Sequence, residues 1–205
     1  DPLRSRNRGN GYRLARVGLD HSIGAARLDL SGALLDERET TLGATGNMWT
    51  GSEGAKSWFA DANASCAFAR NWSANASYPR GWARMAAAGL RDNADWLESD
   101  AWSFDVARIG LFGLHDSLAL RVAQPLRVRS GGINLSLPVG YDYSTLTASF
   151  GRQFVSLSPT GRERDIEAAY ATPFAGGFLS ANGYWRSEPG HIEAAADDLG
   201  VALRF

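Results

Sequence analysis

The chain has 205 residues, a formal net charge of -1 from 21 basic and 22 acidic side chains, and a mean hydropathy of -0.24. No run approaches the roughly 20 consecutive apolar residues of a spanning helix, and so even a charge balance gives no field that would favour nucleic acid. Cys66 is the single cysteine, which rules out an internal disulfide and leaves no zinc-type spacing. These values leave a β-barrel open, because its strands alternate lipid-facing and lumen-facing residues and read as mildly hydrophilic.

In chain order, residues 1–10 read as a linker or the remnant of an upstream region: the chain opens on Asp1-Pro2, carries a short basic run around Arg4, Arg6 and Arg8, and shows no signal-peptide core. One folded unit is expected over 11–205. Weak strand patterns lie near Tyr12–Leu19 and Gly24–Leu35, where Leu28 and Leu30 flank Asp29. Period-two alternation then becomes clear, and it assigns successive side chains to opposite faces. Trp58, Ala60, Ala62, Ala64, Cys66 and Phe68 alternate with Asp61, Asn63 and Ser65. Arg70-Asn71 reads as a tight hairpin before Trp72, Ala74, Ala76 and Tyr78. The stretch Arg84–Ala88 has helical propensity. Trp102, Phe104 and Val106 resume the alternation.

The C-terminal half is the most regular. Leu118, Leu120 and Val122 are expected to face lipid, with Arg121 and Arg127 on the lumen side and a bend or bulge at Pro125. Arg129–Gly132 reads as a turn, followed by a second lipid-facing row of Ile133, Leu135, Leu137, Val139 and Tyr141. Asp165 and Glu167 are expected in the lumen, where they would pair with the arginines. Pro173–Gly177 is a turn and Ser187–Asp198 a longer loop. The last strand sets Leu199, Val201, Leu203 and Phe205 against Gly200, Ala202 and a lumen-facing Arg204. The far C-terminus reads as a natural end.

The stretches Asp116–Val128, Ser156–Glu163 with Asp165, Pro189-Gly190-His191 and Asp197–Phe205 resemble the C-terminal barrels of autotransporters, of the kind attached to subtilisin-like serine peptidases. The resemblance runs from about Trp102 to the end. It implies an all-β, closed antiparallel transmembrane barrel of 12 strands; alternation alone gives about 10–12. It further implies a translocator that anchors and exports an N-terminal passenger in type V secretion. Its partners would be outer-membrane lipid, the barrel assembly machinery and its own passenger, and its location the bacterial outer membrane, with the passenger outside. Leu199, Val201, Leu203 and Phe205 would form the C-terminal signal read by that machinery.

No catalytic residue, cofactor or metal site is expected in this domain. His115-Asp116-Ser117 holds the three triad residue types, but neighbouring side chains diverge where a triad needs convergence. Two other readings of the alternation are a stand-alone porin or adhesin-type barrel and a soluble β-sandwich that binds a ligand.

Overall fold

The computed structural model describes residues 11–38, 40–41, 44–45, 54–86 and 95–205. The expected linker at 1–10 lies outside them, as do Ala87, Ala88 and most of the polar stretch 43–54, which reads from its composition as a long connection. The strands are β1 (Tyr12–Ile23), β2 (Ala26–Glu37), β3 (Thr40–Thr41), β4 (Ala44–Thr45), β5 (Ala55–Ala69), β6 (Trp72–Met85), β7 (Asp95–Ile109), β8 (Ser117–Asp142), β9 (Thr147–Ser156), β10 (Arg164–Phe174), β11 (Gly177–Ser187) and β12 (Asp198–Arg204). The fold is all-β. Ten strands form one antiparallel sheet in the order β1-β2-β5-β6-β7-β8-β10-β11-β12, with β9 paired to β8 alone. Arg84 and Met85 belong to β6, so the helical propensity there yields to sheet pairing with β5 and β7.

The connections divide sharply by length. At one end β1–β2, β5–β6 and β10–β11 are joined by two-residue turns, and β7–β8 by residues 110–116. Ala175 and Gly176 both take positive φ, 47° and 83°, as a primed hairpin turn requires. At the other end lie the long connections 38–54, 86–94 and 188–197. We refer to the short-turn end and the long-loop end.

β8 is 26 residues long. It pairs with β7 over Ser117–Gly131 and with β10 over Ser117–Ala123; its last eleven residues pair with β9. That β8–β9 ribbon runs past the long-loop end of the sheet. The turn expected at Arg129–Gly132 is therefore not a turn. Gly131 has φ 110°, and a Cβ there would lie 2.0 Å from the Trp96 carbonyl oxygen. The glycine answers to close approach of another backbone, not to a bend.

Two irregularities in β8 set which face its side chains take. Trp102 pairs with Gln124, Asp100 with Arg127, and Glu98 with Ser130. Between Gln124 and Arg127 the strand gains one residue over β7, and it gains another before Ser130. Pro125 cannot donate to a ladder, and a bulge at that point accommodates it.

Among the described residues the buried side chains are few, and mostly small or polar. Ala55, Ser57, Ala83 and Met85 are buried with Glu37 toward the long-loop end, and Ala123 and Asp165 lie lower. By contrast Leu28, Leu30, Trp58, Phe104, Leu120, Ile166, Leu199, Val201 and Leu203 are exposed. A water-soluble domain buries such residues and rarely leaves a large contiguous apolar patch.

Candidate functional site

The register sorts the side chains into two faces. Asp29, Asn63, Ser77, Ser103, Ala123, Asp165, Arg186 and Asp198 lie on one row, each paired with the next across a strand boundary. The adjoining row on the same face runs Arg27, Ser65, Asp105, Arg121, Glu167 and Tyr184. Ion pairs connect neighbouring strands: Arg27 with Asp20 at 3.3 Å, Arg121 with Asp105 at 3.5 Å, and Arg186 with both Asp165 and Asp198 at 3.9 Å. Ser31 accepts from Arg16 at 2.9 Å and donates to Asp61 at 3.2 Å. Short-range contacts on the polar face thus join β1, β2 and β5, then β6, β7 and β8, then β10, β11 and β12.

The opposite face is mainly apolar, with Arg80, Asp100, Gln124 and Arg127 grouped on it just inside the Trp82 row. One row reads Leu28, Ala64, Ala76, Phe104, Val122, Ile166, Trp185 and Leu199. Aromatic rings bracket it at both ends. Toward the long-loop end Trp58 stacks on Trp96 at 5.6 Å, Arg80 sits over Trp82, and Trp185 donates its indole N–H to Asp197 at 3.0 Å. Toward the short-turn end Phe68 meets Trp72 at 6.0 Å, Phe112 meets Tyr170 at 5.9 Å, and Phe174 meets Phe205 at 6.3 Å. On β6 the two collars are marked by Trp72 and Trp82, ten residues apart. At about 3.3 Å per residue that is roughly 33 Å of strand. A strand tilted by about 40° then spans roughly 25 Å, the height of the apolar band on an outer-membrane barrel.

The expected site residues fall out as follows. Leu118, Leu120 and Val122 share the apolar face with Leu199, Val201 and Leu203, and Phe205 meets Phe174 on it. Arg121, Asp165, Glu167 and Arg204 share the polar face. Arg127 does not share a face with Arg121. Their β7 partners, Asp100 and Asp105, are five residues apart and so point oppositely. The extra residue near Pro125 reverses the alternation. The Arg127 side chain instead donates to the carbonyls of Pro159 at 2.8 Å and Gly161 at 3.1 Å. Nor does Arg121 bond Asp165: its ionic partner is Asp105, and Glu167 is its register neighbour. Ile133, Leu135, Leu137, Val139 and Tyr141 lie in the β8–β9 ribbon, beyond Ser130, which is level with Trp58 and Trp82.

Two polar assemblies carry no sequence signal. At the short-turn end Asp116 is 1 % exposed. It accepts N–H bonds from Leu111 at 2.7 Å, Phe112 at 2.8 Å and Gly113 at 3.1 Å, and the Tyr170 hydroxyl at 2.9 Å. Burial opposes its charge, but these donors outweigh burial and hold the carboxyl below the usual carboxylate range. Because the folded value is depressed, its contribution is present above the ordinary carboxyl range and is lost as pH falls through the folded value. Asp116→Ala leaves four donors unmatched and should lower the unfolding midpoint by about 5 °C or more. Tyr170→Phe removes one donor and should cost less; thermal melts of the two variants check the order.

At the long-loop end His191 accepts the Glu163 N–H at 2.9 Å through Nδ1, and its Nε2 donates to the Leu126 carbonyl at 3.0 Å. Glu163 in turn accepts the Gly190 N–H at 2.7 Å. Residues 159–163 and 188–191 are thereby tied to the bulged part of β8.

No protein-family model, curated protein or solved structure matches the chain. Function therefore rests on the chemistry of the two faces. Among the described residues no group of three or more His, Cys, Asp or Glu side chains is placed to hold a metal ion. No helix there is long and apolar enough to cross a membrane, which says nothing of strands.

Proposed function

We propose that this sheet is the wall of an outer-membrane β-barrel that anchors and translocates a passenger: the translocator of an autotransporter. The observation that carries the membrane reading is the exposed, mainly apolar face between two aromatic collars ten residues apart on β6, which a barrel-like tilt would set about 25 Å apart, backed by charged clusters on the other face. The end-to-end asymmetry of the connections agrees with it. Short turns would face the periplasm and long loops the exterior. The passenger role rests on the resemblance of residues 102–205, and a subtilisin-like peptidase is the passenger it favours.

Backbone groups in lipid must all be paired, so such a wall is closed. Nine strands stand abreast from β1 to β12 in an unbroken antiparallel series, so β1 and β12 run in the same direction. Closure of the chain on itself would bring these two edges together as a parallel seam.

The polar face would line the lumen and hold water there. Arg121→Gln should then alter single-channel conductance or ion selectivity, whereas Arg127→Gln should leave both unchanged because its side chain faces away. Planar-bilayer recordings of the two variants check this, and equal effects would count against the assignment of faces.

The experiment that tests the whole reading is heat-modifiability. Refolded in detergent, the chain should migrate differently on a denaturing gel before and after boiling and show β-rich circular dichroism. A folded monomer in plain buffer with no mobility shift would overturn it in favour of a soluble β-sandwich.

A further inference from the structure

Just beyond the long-loop collar, the apolar face carries two cations that make no ion pair among the described residues. Lys56 on β5 and Arg84 on β6 are direct cross-strand partners on the face of Trp58 and Trp82. Both are exposed. Opposed residues in an antiparallel pair hold their Cβ atoms about 5 Å apart, and like charges there repel. Among the described residues neither cation makes an ion pair. Arg84 rests over the Trp96 ring at 5.7 Å. Asp36 stands across from Lys56 on β2 but makes no ion pair with it.

Among the described residues, the other acids on this part of the face are already engaged. Glu98 is paired with Arg80 and accepts from Ser130 at 3.0 Å. Asp100 accepts from Gln124 at 3.2 Å and pairs with Arg129 at 3.8 Å. Among the described residues on this part of the face, Asp36, Glu98 and Asp100 stand against Lys56, Arg80, Arg84, Arg127 and Arg129, a surplus of positive charge.

We infer that Lys56 and Arg84, level with Trp96 and next to the Trp58 and Trp82 row, bind the phosphate of a lipid headgroup in the leaflet at the long-loop end. An anion between the two cations relieves their repulsion, and guanidinium and ammonium groups both form charge-assisted bonds to phosphate. The placement favours a lipid over a protein partner. The cations sit two residues past Trp58 and Trp82 on the same strands, about 7 Å further along. Indole rings occupy the boundary of the apolar band, and the next layer outward is the headgroup phosphate. The site rests on the membrane reading of this face.

The test uses the refolded chain in a phosphate-free maltoside detergent, with collar tryptophan fluorescence as readout. Dihexanoyl phosphatidic acid is the probe; dihexanoylglycerol and inorganic phosphate are titrated separately. The phosphatidic acid should give a saturable change that neither of the others reproduces at the same concentration. The Lys56→Gln/Arg84→Gln variant should bind about tenfold or more weakly, while Arg70→Gln at the short-turn end should bind as the parent does.

An equal response to inorganic phosphate, meaning an adventitious ion only, would overturn the lipid site. So would an equal response to dihexanoylglycerol, or unchanged affinity in the double variant. The comparison of the three probes on the parent chain needs no variant to fold. The boiling shift separates the two levels of failure. A shifted, detergent-folded chain that ignores the probe loses this site alone, whereas a chain folded without detergent loses the membrane wall as well.

Discussion

Ala64→Arg should destabilise the folded chain by about 2–4 kcal/mol in a bilayer, and by no more than about 0.5 kcal/mol if the same face meets water. Ala64 is exposed and lies on β5 between Trp58 and Phe68, so it is well inside the collars. Alanine gives up almost no packing when replaced there, and the arginine has open space to enter. The difference between the outcomes is thus the transfer of a guanidinium out of water, with little contribution from steric repair. Urea titrations of the parent and variant, refolded in vesicles and followed by tryptophan fluorescence, measure it. Leu135→Arg is the internal comparison. Leu135 lies in the ribbon beyond the collar, so its substitution should cost about 1 kcal/mol or less. A large cost at Leu135 and none at Ala64 would reverse the assignment of the apolar band.

Alternation made the two-faced wall legible because it is a local property: two residues on one strand suffice to assign a face. Val122, Ile166 and Leu199 thus fall on the apolar face from sequence alone, and the register then sets them in one row. Parity arguments fail once a bulge intervenes. Arg121 and Arg127 are six residues apart and look equivalent, yet one extra residue beside Pro125 turns them to opposite faces. The proline marked the disturbance; its size depends on β7, which the sequence of β8 does not contain. The same limit applies at Gly131-Gly132. A glycine pair signals either a turn or close backbone approach, and only the position of Trp96 selects the second.

The assemblies missed entirely are those whose partners are remote in the chain. Asp116 and Tyr170 are 54 residues apart, and His191 reaches Leu126 across 65. Neither pair has a spacing that marks it. Lys56 and Arg84 were hidden for another reason. The alanine-rich run after Arg84 has helical propensity, and that obscured the strand that sets the two cations opposite each other. Propensity is a weak prior where strands on both sides offer a ladder.

Gly200→Ala should cost about 1–3 kcal/mol in the parent chain and change sign when Tyr184 is also alanine. The two residues are cross-strand partners on the polar face of β11 and β12. A Cβ at Gly200 would lie 2.3 Å from the Tyr184 ring, so the ring covers the bare backbone of the neighbouring strand. The clash falls at the far end of the ring, which would normally swing aside at small cost. Here the ring is held. The Arg186 guanidinium sits 4.6 Å from its centroid, and Arg186 is itself set between Asp165 and Asp198. Moving the ring disturbs a cluster that joins β10, β11 and β12. With the ring removed, alanine at 200 meets little but strand backbone, and it is favoured over glycine by about 0.5–1 kcal/mol within an element. The double-mutant cycle, measured by urea unfolding of all four chains, should therefore give a coupling of about 2 kcal/mol. Equal costs in the two backgrounds would mean that the glycine answers to something other than the ring. An unfavourable effect that also appears in the rate of conversion to the boiling-sensitive form would place the β11–β12 seam among the contacts made before the rate-limiting step.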